Sequence, residues 1–229
     1  MKLSFGGCII GCMMITGQYT YSQETIIWNS VQLPVRFSAK WQAPVDMSYR
    51  TLNFSDRAYQ YTFRAGVRRV LSDVFSVASG AALFYTRTTY EKTNPEFGRE
   101  IRLYEDVAAE NKLGHQFSLQ NRFRLEERFF ATTEEKERYT ALRFRYRIGL
   151  VKLLGTHFKM QVAEEYMEHL IDGQFSFQQN RVYASGGYFL NRLTLLEAGY
   201  IWSRIPGLTR NYITVTFQRT ILFHGNRGS

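Results

Sequence analysis

The feature that most constrains this chain is a two-residue periodicity sustained far longer than a soluble strand needs. From His115 onward, Phe117, Leu119, Phe123 and Leu125 fall on one parity, and Gln116, Ser118, Gln120, Arg122, Arg124 and Glu126 fall on the other. After the polar stretch 131–137 the pattern resumes, with Leu142, Phe144, Tyr146, Ile148 and Leu150 set against Arg143, Arg145, Arg147 and Gly149. Successive side chains of a strand point to opposite faces, so each half lays an apolar stripe back to back with an arginine stripe. On a helix the same arginines would wrap around the cylinder and no apolar stripe would form. A soluble strand is typically about five or six residues long, and a tilted transmembrane strand about 9 to 11. The pattern predicts a long β-hairpin with one lipid-compatible face and one charged face.

At the start of the chain, Lys2 precedes the apolar run LSFGGCIIGCMMITG, the pattern of a secretory signal too short to cross a bilayer as a helix. Cleavage is expected after Ser22, with Gly17 as the second choice, and either removes both Cys8 and Cys12. Ile9-Ile10-Gly11-Cys12 resembles a lipoprotein box, whose use would instead leave Cys12 as the acylated first residue. A mature chain without cysteine suits an oxidising compartment in which no disulfide framework is used.

Hydrophobic residues make up 45% of the chain, yet mean hydropathy is −0.30. No run of about 18 apolar residues follows the signal, which excludes a membrane protein built from helices. Half-apolar strands joined by polar turns give this mixture. Alternation places strands at 25–37, 40–52, 58–71, 74–88, 99–111, 115–130, 138–151, 156–168, 177–190, 193–204 and 210–223. Short connections alternate with longer polar ones near 53–57, 89–98, 131–137, 169–176 and 205–209, as in an outer-membrane barrel. Because bacterial single-chain barrels normally have an even strand number, the expectation is 12, with residues 18–25 supplying a short extra strand, or else 10. The fold class is therefore all-β. One transmembrane antiparallel up-and-down barrel spans 23–223, after a signal at 1–22 and before a polar tail at 224–229. Ile213, Val215, Phe217, Ile221 and Phe223 share a parity in the last strand, whose aromatic end resembles the signal read by barrel-assembly machinery.

The net charge of +9 raises nucleic-acid binding, but the arginines alternate with lipid-type side chains instead of clustering in a loop or on a helix. A charge removed from water must be paired. Arg122, Arg124, Glu126, Arg143, Arg145, Arg147 and Glu165 are thus expected to line the lumen and satisfy one another; the sharper alternative is a lumen that selects anions. For catalysis only His169 approaches a longer loop, near Glu165, Glu168 and Ser176, while His115 and His157 flank short turns and His224 lies in the tail. Acyl chemistry needs a serine, a histidine and an acid to converge in space. A lipid-modifying enzyme of phospholipase or deacylase type is accordingly the alternative to a non-enzymatic barrel. No catalytic residue, cofactor or metal is assigned, since the histidines are scattered. The expected partners are outer-membrane lipid and, during biogenesis, the assembly machinery.

The hairpin residues Arg122-Phe123-Arg124-Leu125-Glu126-Glu127-Arg128-Phe129 and Arg143-Phe144-Arg145-Tyr146-Arg147 resemble the DUF2490 family of uncharacterised outer-membrane β-barrels of Bacteroidota type. Ile27-Trp28 and Glu164-Glu165-Tyr166 are similar to that family's opening and its mid-barrel strand. The resemblance covers essentially the whole mature chain as a pattern of alternation. It implies an outer-membrane barrel and carries no catalytic residues.

Overall fold

The computed structural model describes residues 22–54, 57–89, 95–134 and 136–223. Residues 1–21 of the expected 1–22 signal, with both cysteines and residues 18–21 of the expected extra strand, and the 224–229 tail with His224 lie outside these residues. The described chain is strand and turn throughout. In order come β1 (Ser22–Gln32), β2 (Val35–Arg36), β3 (Trp41–Ala43), β4 (Val45–Leu52), β5 (Ala58–Val70), β6 (Phe75–Arg87) and β7 (Phe97–Leu113). They are followed by β8 (Phe117–Phe130), β9 (Tyr139–Leu154), β10 (Phe158–Ile171), β11 (Gln174–Asn191), β12 (Thr194–Ile205), β13 (Leu208–Arg219) and β14 (Ile221–Leu222).

Eleven strands close into a barrel. β1 pairs antiparallel with β4, each strand from β4 to β13 pairs antiparallel with the next, and β13 returns to β1. β2, β3 and β14 stand outside this ring and prolong one end of it. Pro34 and Pro44 mark the breaks that separate β2 from β1 and β3 from β4, because proline has no N–H for the ladder. Their carbonyls still accept from Ile221 N at 2.9 Å and from Gly66 N at 3.1 Å.

The count corrects the expectation of 12 strands, or 10. An even number is required only if the last strand must meet the first antiparallel. Here the seam is parallel, from Ser22 beside Leu208 to Gln32 beside Gln218. A parallel ladder is only slightly less stable per residue than an antiparallel one, so an odd ring can close. Residues 22–25 do not form an extra strand; they begin β1 itself. As a consequence the described chain starts at one end of the barrel and finishes at the other.

The expected longer connections at 169–176 and 205–209 are in fact tight turns. Asp172 (φ 50°) and Gly173 (φ 77°) join β10 to β11, and Pro206 with Gly207 (φ 72°) joins β12 to β13. An Asp-Gly pair with both residues at positive φ matches the twist of a hairpin, which is why the strands run on to the turn. The longer connections that remain, 53–57, 88–96 and 131–138, lie at the same end, the loop end; the opposite rim is the turn end.

Burial is inverted relative to a soluble domain. Among the described residues the fully buried set holds 17 polar or charged side chains and 14 hydrophobic ones, while 39 large hydrophobics are exposed. The outward wall is therefore the greasy one. Inside, an apolar cluster of Ile26, Leu52, Tyr59, Ile201 and Tyr212 backs the parallel seam. The Tyr104 ring fits because two inward positions opposite it are glycine: a Cβ on Gly66 would come to 2.5 Å from the Tyr104 hydroxyl, and one on Gly80 to 2.6 Å.

Candidate functional site

The interior of the barrel between β7 and β10 is a continuous ion-pair network. Strand alternation aims Glu100, Arg102 and Asp106 inward from β7, and Arg122, Arg124, Glu126 and Arg128 from β8. Arg143, Arg145 and Arg147 come from β9, and Glu165 from β10. Register then decides who meets whom. Asp106 sits opposite Arg124, and the fork of Arg124 grips it with Nε–Oδ1 at 2.5 Å and Nη2–Oδ2 at 2.7 Å. Glu126 sits opposite Arg143, which donates from Nε at 2.7 Å and also from Nη2.

Arg145 holds the two deepest acids together. It donates from Nη1 to Glu126 at 2.6 Å, and from Nη2 and Nε to Glu165 at 2.7 and 3.1 Å. Glu165 is completely buried and takes two more donors, Arg122 Nη2 at 2.7 Å and the Tyr183 hydroxyl at 2.7 Å. Arg102 and Arg128 share Glu100, and Arg102 reaches across to Glu126 at 3.8 Å. The network thus contains six arginines and four acids, for a formal charge of 6 − 4 = +2. Charges this deep are tolerable only when forked geometry and several hydrogen bonds offset their desolvation, and Glu126 and Glu165 meet that condition.

Six of the seven residues expected from sequence belong to this network. The seventh, Arg147, stands apart: its guanidinium lies over the Tyr183 ring at 4.6 Å and it borders a cavity toward the turn end. Sequence reasoning missed Glu100, Arg102, Asp106, Arg128 and Tyr183. The signal for three of them was present, because Glu100, Arg102 and Asp106 share one parity in a segment already read as a strand. Arg128 extends the alternation of Arg122, Arg124 and Glu126 by one step.

The network divides the lumen. Toward the loop end lies a chamber of about 600 Å³, with Arg102, Arg128, Arg143 and Arg145 in its floor. Toward the turn end are cavities of about 340 Å³ and 370 Å³, roofed by Arg122 in both cases and by Arg124 in the smaller. Glu126 and Glu165 border none of the three, which puts them in the partition itself.

His169 also borders the loop-end chamber, but its expected companions are not assembled around it. Glu168, its neighbour along the strand, faces outward and accepts from the Tyr166 hydroxyl at 2.8 Å. Glu165 points inward four residues away, a rise of about 13 Å along a strand, and its oxygens are taken by arginines and Tyr183. Ser176 is the register partner of His169, but no side-chain hydrogen bond joins the two. His157 lies at the turn end, hydrogen-bonded to Thr156 Oγ1 at 2.8 Å and stacked on Tyr188. No group of three or more histidine, cysteine or acidic side chains that could hold a metal ion occurs among the described residues.

A family model described as "Protein of unknown function (DUF2490)" matches residues 25–214, the span from the fourth residue of β1 to the middle of β13. No curated protein and no solved structure matches the chain.

Proposed function

The chain belongs to the DUF2490 family, and we propose that it is a non-enzymatic outer-membrane β-barrel whose lumen is closed at mid-height by its own arginine–carboxylate network. The observation that carries this reading is the outward wall. It is apolar around the ring, and aromatic side chains stand near both rims. Near the turn end the exposed side chains include the aromatic rings of Trp41, Phe75, Phe117, Phe158 and Tyr188, set among leucines such as Leu71, Leu113, Leu153 and Leu190. Toward the loop end a second aromatic set follows, with Tyr61, Tyr85, Phe129, Phe175 and Trp202. Between them aliphatic side chains such as Val67, Leu103, Val107, Ile148, Val162 and Val215 are interspersed with rings such as Phe63, Phe123, Tyr146 and Tyr200.

A continuous outward apolar band that carries aromatic rings at both rims, around a charged interior, is what a barrel in a bilayer requires. Soluble proteins rarely expose a contiguous apolar patch of more than a few hundred Å². The expected secretion signal and the aromatic Phe223 close to the end of the last described strand support the same location, reached through the barrel-assembly machinery. On this reading the turn end faces the periplasm, the loop end faces outward, and lipid is the permanent partner of the wall.

A closed lumen follows from the partition. An open pore needs a water path, and here the mid-height section is filled by guanidinium–carboxylate forks drawn from four neighbouring strands. Planar-bilayer recording on the purified protein tests this, together with membrane fractionation. Conductance should be small or absent, and the folded protein should fractionate with outer membranes and migrate heat-modifiably on gels. Large steady currents would refute the closed lumen. Recovery as a soluble periplasmic protein would refute the location.

A further inference from the structure

The arginines in the floor of the loop-end chamber are all paired with acids, but not all of those in its side wall are. Among the described residues, nine arginines and Lys136 border the chamber against the single carboxylate of Glu100. Six of these ten cations are occupied: four belong to the network, Arg64 lies 3.7 Å from Asp46, and Arg210 donates to Glu24 at 2.7 Å, while Arg99 and Lys136 are exposed. Arg50 and Arg181 are different. Neither has an ion pair or a hydrogen bond among the described residues, although Arg50 is only 8% exposed.

The aromatic pair beside them sets their geometry. Trp28 and Tyr212 meet edge to face with centroids 6.1 Å apart. The Arg50 guanidinium lies 3.7 Å from the Trp28 ring centre, and that of Arg181 lies 5.7 Å from the Tyr212 ring centre. Two guanidinium groups therefore flank one aromatic corner of the chamber. Three buried donors there, Trp28 Nε1, Arg50 Nε and Arg181 Nε, have no acceptor, and the Gln60 amide oxygen on the same wall has no donor. Buried polar groups are nearly always partnered, so four orphans lining one cavity mark the place where a ligand would supply the partners.

We propose that the loop-end chamber is a binding site for a phosphomonoester, with the phosphate between Arg50 and Arg181 and an aromatic or other flat portion against Trp28 and Tyr212. The charge and geometry fit that chemistry. A phosphomonoester carries a charge of about −1.5 to −2 at pH 7 and three acceptor oxygens, which matches two uncompensated guanidiniums that donate in planar forks. The chamber's size suits a small organic ligand, since such pockets span about 300 to 1,000 Å³. Gln60 adds an acceptor for a hydroxyl on the ligand. The floor closes the chamber from below, so a bound molecule is held rather than passed through. The proposal uses that floor but not the membrane location, and the two fail separately.

The test is calorimetric titration of the folded, detergent-solubilised protein with phenyl phosphate, benzyl alcohol and inorganic phosphate. Phenyl phosphate should bind, more weakly as salt rises, inorganic phosphate should bind less tightly, and benzyl alcohol should not bind. Arg50→Gln and Arg181→Gln should each weaken phenyl phosphate at least tenfold, while Arg147→Gln, on the far side of the floor, should leave it unchanged. Heat-modifiable migration checks that each variant is folded, and Arg181→Gln carries the test if Arg50→Gln does not fold. Absence of phenyl phosphate binding to the native protein, equal binding of benzyl alcohol, or unchanged affinity in the folded glutamine variants would overturn the assignment.

Discussion

Replacing Arg145 with alanine is the perturbation that tests the partition most directly. Its guanidinium is the only group bonded to both Glu126 and Glu165 among the described residues, through contacts of 2.6, 2.7 and 3.1 Å. Removing one partner of a buried ion pair typically costs about 3 to 5 kcal/mol, because the abandoned charge stays desolvated. Two carboxylates are abandoned here, which pushes the cost up. Against that, Glu126 keeps Arg143, and Glu165 keeps Arg122 and the Tyr183 hydroxyl. The two effects offset, and the expected loss remains about 3 to 5 kcal/mol. Arg147→Ala is the internal control: it removes a cation–π contact and no ion pair, for a loss of about 1 kcal/mol. The measurement is denaturant unfolding of both variants in lipid vesicles, followed by heat-modifiable migration and tryptophan fluorescence. A second comparison isolates the charge: Arg145→Ala combined with Glu165→Gln should lose less than the sum of the two single changes, since each removes the other's reason to be buried. Equal stability of the Arg145 and Arg147 variants, or strict additivity in the double variant, would refute the account of the network as the structural centre of the lumen.

Two further predictions address the wall. Glu105 is the ninth of seventeen residues in β7 and is exposed on the outward face, between the exposed Leu103 and Val107; if that face meets hydrocarbon, Glu105→Leu should stabilise the barrel in vesicles by up to about 2 kcal/mol, and a destabilised variant would contradict a lipid-facing wall. Cysteines at 147 and 148 should report opposite surroundings, because Arg147 borders the turn-end cavity while Ile148 is 39% exposed on the outside. A water-soluble thiol reagent should modify the cysteine at 147 and spare the one at 148 in vesicle-embedded protein, and equal labelling would reject the assigned faces.

The parity of the strands was legible in the sequence because strand alternation is a local rule. Knowing that Phe123 and Tyr146 face one way is enough to send Arg124 and Arg145 the other, without knowledge of any neighbour. Turn chemistry is local too, and Asp172-Gly173 was readable as a tight hairpin; placing a long loop there came from weighting polar composition over the φ requirement of that pair. The strand count failed for a different reason. Eleven segments were visible, and the even-number rule for bacterial barrels argued against them, whereas the parallel fit of β1 against β13 is a contact between the two ends of the chain that no local pattern encodes.

The same distinction separates the network from the chamber wall. Arg124, Glu126, Arg143 and Arg145 were found together because they sit on adjacent strands of one hairpin, where sequence neighbours are also spatial neighbours. Arg50 and Arg181 lie on β4 and β11 and are brought near each other by the closed ring, across the aromatic pair that β1 and β13 contribute. Each is an ordinary inward arginine on its own strand. What sets them apart is a partner that is missing, and a missing partner can be recognised only after the ring has closed and every acid within reach has been assigned to another cation. The charges paired between β7 and β10 were therefore open to inference from alternation, while Arg50 and Arg181 stood out only in three dimensions.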